Sequence, residues 1–266
     1  MIRYTTFRGA KVRYSDQGRG RAIVLIHGFP ENLHIWDEFS TTLSKKFRVI
    51  AIDLLGFGES ECIGYVHSME LMAQCVQAVM HHLTLRKYIV VGHSMGGYVA
   101  LAFAELFGEN LRGLCLFHSS SYADTEEKKA DRNRGIAAVK KHPAQYLKAF
   151  SANLFADPND PHMKKLQEII MTASPRGIVA ALEGMKMRPS REIILKFANY
   201  PVLFILGKKD RVIPYEVVLP QTEVPKRKEV LLLENAGHMG FYEYPNETSQ
   251  TLRKFAYHCF REKKRK

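Results

Sequence analysis

No apolar run in this sequence approaches the ~20 residues that a membrane-crossing helix needs, so no integral membrane association is expected. Cysteines are few. Cys62, Cys75, Cys115 and Cys259 form no C-x-x-C pair and stand at no zinc-ligand spacing from a histidine. Isolated thiols in a reducing compartment fit this better than a metal site or a disulfide framework. A dinucleotide fingerprint is also missing: Gly56-Phe57-Gly58 has neither the third glycine nor the helix start. Any chemistry is therefore expected to use no cofactor and no metal. The opening MIRYTTFRGAKVRYSD lacks the basic-then-apolar order of a signal peptide, so a cytoplasmic protein is expected. The sequon Asn246-Glu247-Thr248 then reads as coincidence. No internal repeat or low-complexity segment interrupts the chain.

Acidic residues are in deficit, 27 against 39 lysines and arginines, for a net charge of +12. The excess gathers at 128–148, at 226–228 and in the tail Arg261–Lys266. No nucleic-acid motif accompanies it, so a solvated basic surface is expected and no nucleic-acid partner. With 266 residues the chain can bury one large core and carry a small accessory domain.

What is present is organised around KYIVVGHSMGG, residues 87–97. Tyr88 to Val91 read as a buried strand, Gly92 to Gly96 as a tight turn with Ser94 at its tip, and YVALAFAELF as a helix. Strand, serine turn and helix are the setting of a nucleophile elbow. Flanking glycines let the backbone pass, and the first helix amides point where negative charge is welcome. By composition alone G-x-S-x-G arises in about one chain in ten of this length, so the rest of the chain must support it.

Around it, strands alternate with helices up to residue 121. Strands are predicted at 2–7, 10–16, 22–26, 48–54 and 111–117, and helices at 33–44 and 67–83. This alternation predicts an α/β fold with a mostly parallel sheet and helices on both faces. From Asp124 to about Arg191 no strand is predicted. Prolines 143, 158, 161, 175 and 189 punctuate helical runs at about 124–141, 143–155, 161–172 and 175–186. We read residues 122–191 as an all-helical cap inserted into a core domain made of 1–121 and 192–266. The α/β pattern resumes with PVLFILGKKD, a short helix near Pro214, the strand in KEVLLLENAGH and a last helix at 246–260.

Acyl transfer by a serine needs a base, a carboxylate to orient the base, and donors for the oxyanion. Ser94, Asp210 and His238 follow one another in the order that accompanies an elbow, each just past the C-terminal end of a predicted strand. Asp53 and Asp124 are rival acids. Asp53 opens a glycine-bearing turn, where an aspartate bonds locally, and Asp124 reads as the start of the first cap helix, so Asp210 is preferred. The oxyanion donors are expected to be the backbone amides of Met95 and Phe29. His93 and His27 read as structural, the first turned away from the serine tip and the second bracing its own loop.

The sequence resembles the α/β-hydrolase fold family over essentially its whole length. The resemblance is carried by His27-Gly28-Phe29-Pro30, Asp53-Leu54-Leu55-Gly56-Phe57-Gly58-Glu59-Ser60, Gly92-His93-Ser94-Met95-Gly96-Gly97, Gly207-Lys208-Lys209-Asp210 and Asn235-Ala236-Gly237-His238. It implies eight strands, a cap inserted after the sixth, and Ser94, Asp210 and His238 as a triad. It also implies a serine hydrolase acting on a small carboxylic ester, in the manner of a carboxylesterase. Carbon–carbon cleavage of a diketone, lipase, thioesterase or perhydrolase-like activity, and a ligand-sensing receptor of the same fold remain open alternatives. Members with aspartate at the elbow cleave epoxides or carbon–halogen bonds, which Ser94 speaks against. Trp36, Phe150, Phe155, Met185 and Met239 are candidate walls of an apolar acyl pocket, though each is equally an ordinary packing residue. The expected partner is a small apolar substrate, and the expected state a monomer or homodimer.

Overall fold

The computed structural model describes residues 1–261; Lys263–Lys266 of the basic tail, with Glu262, lie outside the described residues. The chain begins with strands β1 (Ile2–Phe7), β2 (Ala10–Gln17) and β3 (Ala22–Ile26), then helix α1 (Asp37–Ser44) and β4 (Arg48–Ile52). Helix α2 (Met69–His82), β5 (Tyr88–His93), α3 (Met95–Phe107) and β6 (Leu111–Phe117) follow. Five helices come next: α4 (Glu126–Lys141), α5 (Pro143–Ser151), α6 (Met163–Ile170), α7 (Pro175–Met187) and α8 (Glu192–Lys196). The core resumes with β7 (Val202–Gly207), α9 (Tyr215–Val218), β8 (Lys228–Leu233), α10 (Gly240–Glu243) and α11 (Pro245–Arg261).

The eight strands form one sheet in the order β1-β2-β4-β3-β5-β6-β7-β8. β2 runs antiparallel to β1 and β4, and the other pairings are parallel. β3 and β5 are buried at every position, as expected of central parallel strands covered on both faces. α2 packs with α3 and α1 with α11, and these helices cover the sheet.

The insertion between β6 and β7 is all-helical, and its helices form a cap that is tightly joined to the core. The α7 residues Gly177 and Gly184 sit against core backbone: a Cβ on them would lie 1.9 Å from the Gly56 carbonyl oxygen and 1.8 Å from that of His67. The His67 amide donates to the Ala180 carbonyl at 2.9 Å across the same contact. Asp124 is buried between Arg132 and Arg188, and Arg191 pairs with Glu70 and Glu105. Asp124 is thus not the first cap-helix terminus expected of it. Thr125 caps α4, its hydroxyl accepting from Lys128 N at 3.3 Å, while Asp124 neutralises two arginines.

Several boundaries differ from expectation. The run 33–44 divides into a 3-10 turn, Leu33–Trp36, capped by the Asn32 side chain, and α1. The predicted helix 143–155 stops at Ser151, leaving 152–156 irregular. α10 was not expected, since a four-residue helix has no periodicity to read.

Candidate active site

β5 delivers the chain into the elbow at the C-terminal edge of the sheet. Ser94 has φ 51° and ψ −118°, a left-handed conformation that a serine adopts only when its surroundings enforce it. Its amide donates to the Phe117 carbonyl at 3.0 Å, and its own carbonyl accepts from the Ser119 hydroxyl at 2.8 Å. Gly92 and Gly96 are in near-contact, with room for no Cβ between them. Met95 opens α3, so its amide belongs to the first turn, whose N–H groups have no partner within the helix. The Gly28 position lies directly beside Ser94, where a Cβ would come within 3.1 Å of the serine Cβ. Phe29 follows it in this loop.

Asp210 and His238, from the loops after β7 and β8, meet. His238 Nδ1 lies 2.7 Å from Asp210 Oδ2. Asp210 Oδ1 accepts from the Val212 and Ile213 amides, both at 2.9 Å. Burial alone would raise the carboxyl pKa, but the rings of His238 and His118 beside it hold it well below the usual carboxylate range. Because Asp210 accepts from the His238 Nδ1–H, His238 carries its lone pair on Nε2, which is buried and has no hydrogen-bond partner among the described residues. The His238 ring lies 4.9 Å from that of His93, the residue immediately before Ser94.

Three further groups hold this arrangement, and the sequence reading did not assign them this part. His118, just past β6, accepts from the Gly240 amide at Nε2 (3.2 Å), so its proton sits on Nδ1. That nitrogen faces Asp210 Oδ2 at 3.3 Å, a long electrostatic contact beside the shorter one from His238. Burial pulls the His118 pKa down to about 4 and keeps the ring neutral. Its one sequence signal was its position after a strand, at the same sheet edge as Ser94.

Glu31 and His93 form the other support. Glu31 Oε2 accepts from the Gly28 amide at 2.7 Å and from His93 Nδ1 at 3.0 Å. His93 Nε2 in turn donates to the His238 carbonyl at 2.9 Å. His93 is structural, as expected, but both its nitrogens are used and it spans from the Gly28 loop to the His238 loop. Burial opposes charge on either partner, yet their mutual attraction raises the His93 pKa and lowers that of Glu31. His27 braces its own loop, accepting from the Leu54 amide at Nε2 and donating from Nδ1 to the Gly28 carbonyl. Asp53 accepts from the Leu33 and Glu59 amides and pairs with Arg13, far from a role as the acid beside His238.

The expected wall residues fall into two groups. Phe150 of α5 packs edge-on to Phe29, ring centroids 5.4 Å apart. Trp36 lies in an aromatic cluster with Phe39, Phe117 and Phe241 and rests against His93, so it backs the elbow. Phe155 stacks on Tyr242, and Met185 and Met239 are fully packed. Ser94 itself is 8% exposed.

Among the described residues, His118, Asp210 and His238 bring three ligand-type atoms within 4.8 Å and are the cluster that could hold a metal ion. A cation there would have to displace the Nδ1 donor of His238 from Asp210.

Comparisons with known proteins agree with this architecture. A family model described as the alpha/beta hydrolase fold matches residues 21–135. A thermophilic esterase from Thermogutta terrifontis is 31% identical, covers 97% of each chain and superposes with a TM-score of 0.90. The AB hydrolase superfamily protein YisY of Bacillus subtilis is 26% identical over 91% of this chain and 93% of its own. Haloalkane dehalogenase 2 of Mycobacterium tuberculosis is 27% identical over 91% and 90%. With the strand order, the helical insertion after β6 and likeness along nearly the whole length, this chain belongs to the α/β-hydrolase fold family.

Proposed function

We propose that this protein is a cofactor-free serine hydrolase cleaving a small carboxylic ester. Ser94 is the nucleophile, His238 the general base and acid, and Asp210 the group that orients His238. The observation that carries the reading is His238 itself. Its Nδ1 is held on a buried carboxylate, and its Nε2 is buried and, among the described residues, unpartnered beside a strained serine elbow. The 31% identical Thermogutta protein is described as an esterase, which supports the same class.

In this mechanism Nε2 takes the Ser94 proton as Oγ attacks the ester carbonyl. The amides of Phe29 and Met95 receive the oxyanion, and loss of one such donor costs about 2.7–4 kcal/mol of transition-state stabilisation. His238 returns the proton to the leaving alcohol. Water, deprotonated by His238, then releases the acid from Ser94. Residues 122–191 act as the cap that shapes the acyl pocket, with Phe150 beside Phe29 as its best-supported wall.

The serine argues against the carbon–halogen chemistry named for one relative. Displacement of halide by a hydroxyl oxygen would leave an ether, which an activated water cannot cleave, whereas a carboxylate nucleophile leaves an ester.

The test is a panel of p-nitrophenyl esters of graded acyl length, with thioesters and a diketone, run on wild type and Ser94→Ala. Ester turnover is expected, with a loss of about 10⁴-fold or more on Ser94→Ala at unchanged circular dichroism. Fluorophosphonate labelling at a residue other than Ser94, or ester turnover that survives the substitution, overturns the assignment.

A further inference from the structure

The loop carrying His238 is held from the cap side by backbone contacts. The His238 amide donates to the Leu154 carbonyl at 2.7 Å. Its neighbours in sequence both donate to Glu243. Gly237 N lies 3.0 Å from each carboxylate oxygen, and Met239 N 3.2 Å from Oε2. Glu243 Oε1 also accepts from Ala156 N, in the cap, at 2.8 Å. The two segments touch directly, since a Cβ on Gly237 would lie 2.5 Å from Ala156 N. Three consecutive amides of the base loop are thus committed, one to the cap and two to a carboxylate that also grips the cap. Segment 152–156 can do this because α5 ends at Ser151, so that the Leu154 carbonyl turns to His238 and the Ala156 amide to Glu243 instead of continuing a helical ladder.

We propose that Glu243 is a positioning residue that couples the cap segment Leu154–Ala156 to the loop of His238, so that the base is in register with Asp210 only while that segment is docked. The proposal rests on His238 being the base. Glu243 touches neither Ser94 nor Asp210 in this network and acts through the backbone. Removing its carboxylate strands the Ala156, Gly237 and Met239 donors and loosens both sides of the contact together.

The test combines turnover with hydrogen exchange on the full chain. For Glu243→Ala, kcat on a p-nitrophenyl ester is expected to fall about 100-fold, the scale of a base misplaced by an ångström, with KM changed less than about 3-fold. Fluorophosphonate labelling of Ser94 falls in parallel. Exchange quickens at Ala156 and at 237–239 together, while the amides of β5 stay protected. Glu243→Gln keeps one acceptor and restores part of the rate. Gly237→Ala, which forces the segments apart sterically, reproduces the joint exchange if Glu243→Ala does not fold. Wild-type kcat in Glu243→Ala overturns the proposal, as does faster exchange confined to 237–239 with Ala156 still protected. Exchange is read without turnover, and wild type that fails to label at Ser94 sinks the base assignment separately.

Discussion

Ser94 and His118 both have φ near +50° and stand at the ends of adjacent strands, β5 and β6. A side chain in that region costs on the order of 1 kcal/mol or more. Surrounding structure must supply it: Ser94 is held at both backbone groups, and the His118 amide donates to Ile205 at 2.9 Å. Burial has a second consequence at His118. Its pKa is about 4 against an ordinary 6.5, so between these values the unfolded chain binds more protons than the native one. Stability is therefore lost as pH falls through that window, and burial of His27 and His67, which lowers their pKa values too, acts in the same sense. Thermal midpoints measured from pH 7 down to pH 4 are expected to decline, and less steeply for His118→Asn. An equal decline in the variant would mean that His118 is not the neutral, buried ring described. The site's chemistry-bearing types were legible in the sequence because an elbow is a local signal. His118 was not, since a histidine after a strand looks the same whether or not an acid from β7 reaches it.

At the scale of elements, α7 is decided by contact rather than by helix propensity. Alanine is favoured over glycine in a helix interior by about 1 kcal/mol, yet at Gly184 its methyl would enter the His67 carbonyl. Gly184→Ala is expected to destabilise by about 1–3 kcal/mol in urea unfolding. Gly108→Ala, whose methyl meets nothing within 4 Å among the described residues, is the control and should not destabilise. A neutral Gly184→Ala would show that α7 can shift off the core, and with it that the cap is loosely docked. The sequence marked α7 by Pro175 at its start but held no sign that its glycines face backbone. The same limit applies to α5: a helical pattern cannot reveal that its last turn is given up so that Leu154 can meet His238.

For the whole molecule, cap and core share one buried cluster. Ile136, Val139, Leu166 and Ile178 of the cap belong to the same packed body as the strands. Ion pairs from Arg188 and Arg191 cross or close the junction. A single cooperative unfolding transition is expected. Trp36 is the one tryptophan and lies under the elbow, so its fluorescence reports the core, while far-ultraviolet circular dichroism draws heavily on the cap helices. The two melting curves should coincide, and a separate early loss of helix signal would sink the idea. No helix among the described residues is long and apolar enough to cross a membrane.

The sequence by itself determined what rests on short-range pattern: the alternation that builds a parallel sheet, the elbow around Ser94, the order of Asp210 and His238 behind it, and a strandless insertion. These follow from periodicity, turn chemistry and strand ends, all of which act over a few residues. Only the tertiary structure decided which groups from distant loops share the site. Glu31 with His93, His118 with Asp210, and Glu243 with Ala156 are separated by 62, 92 and 87 positions. Such pairs are made by packing, where a buried polar group must find a partner, and no local pattern records which partner it finds.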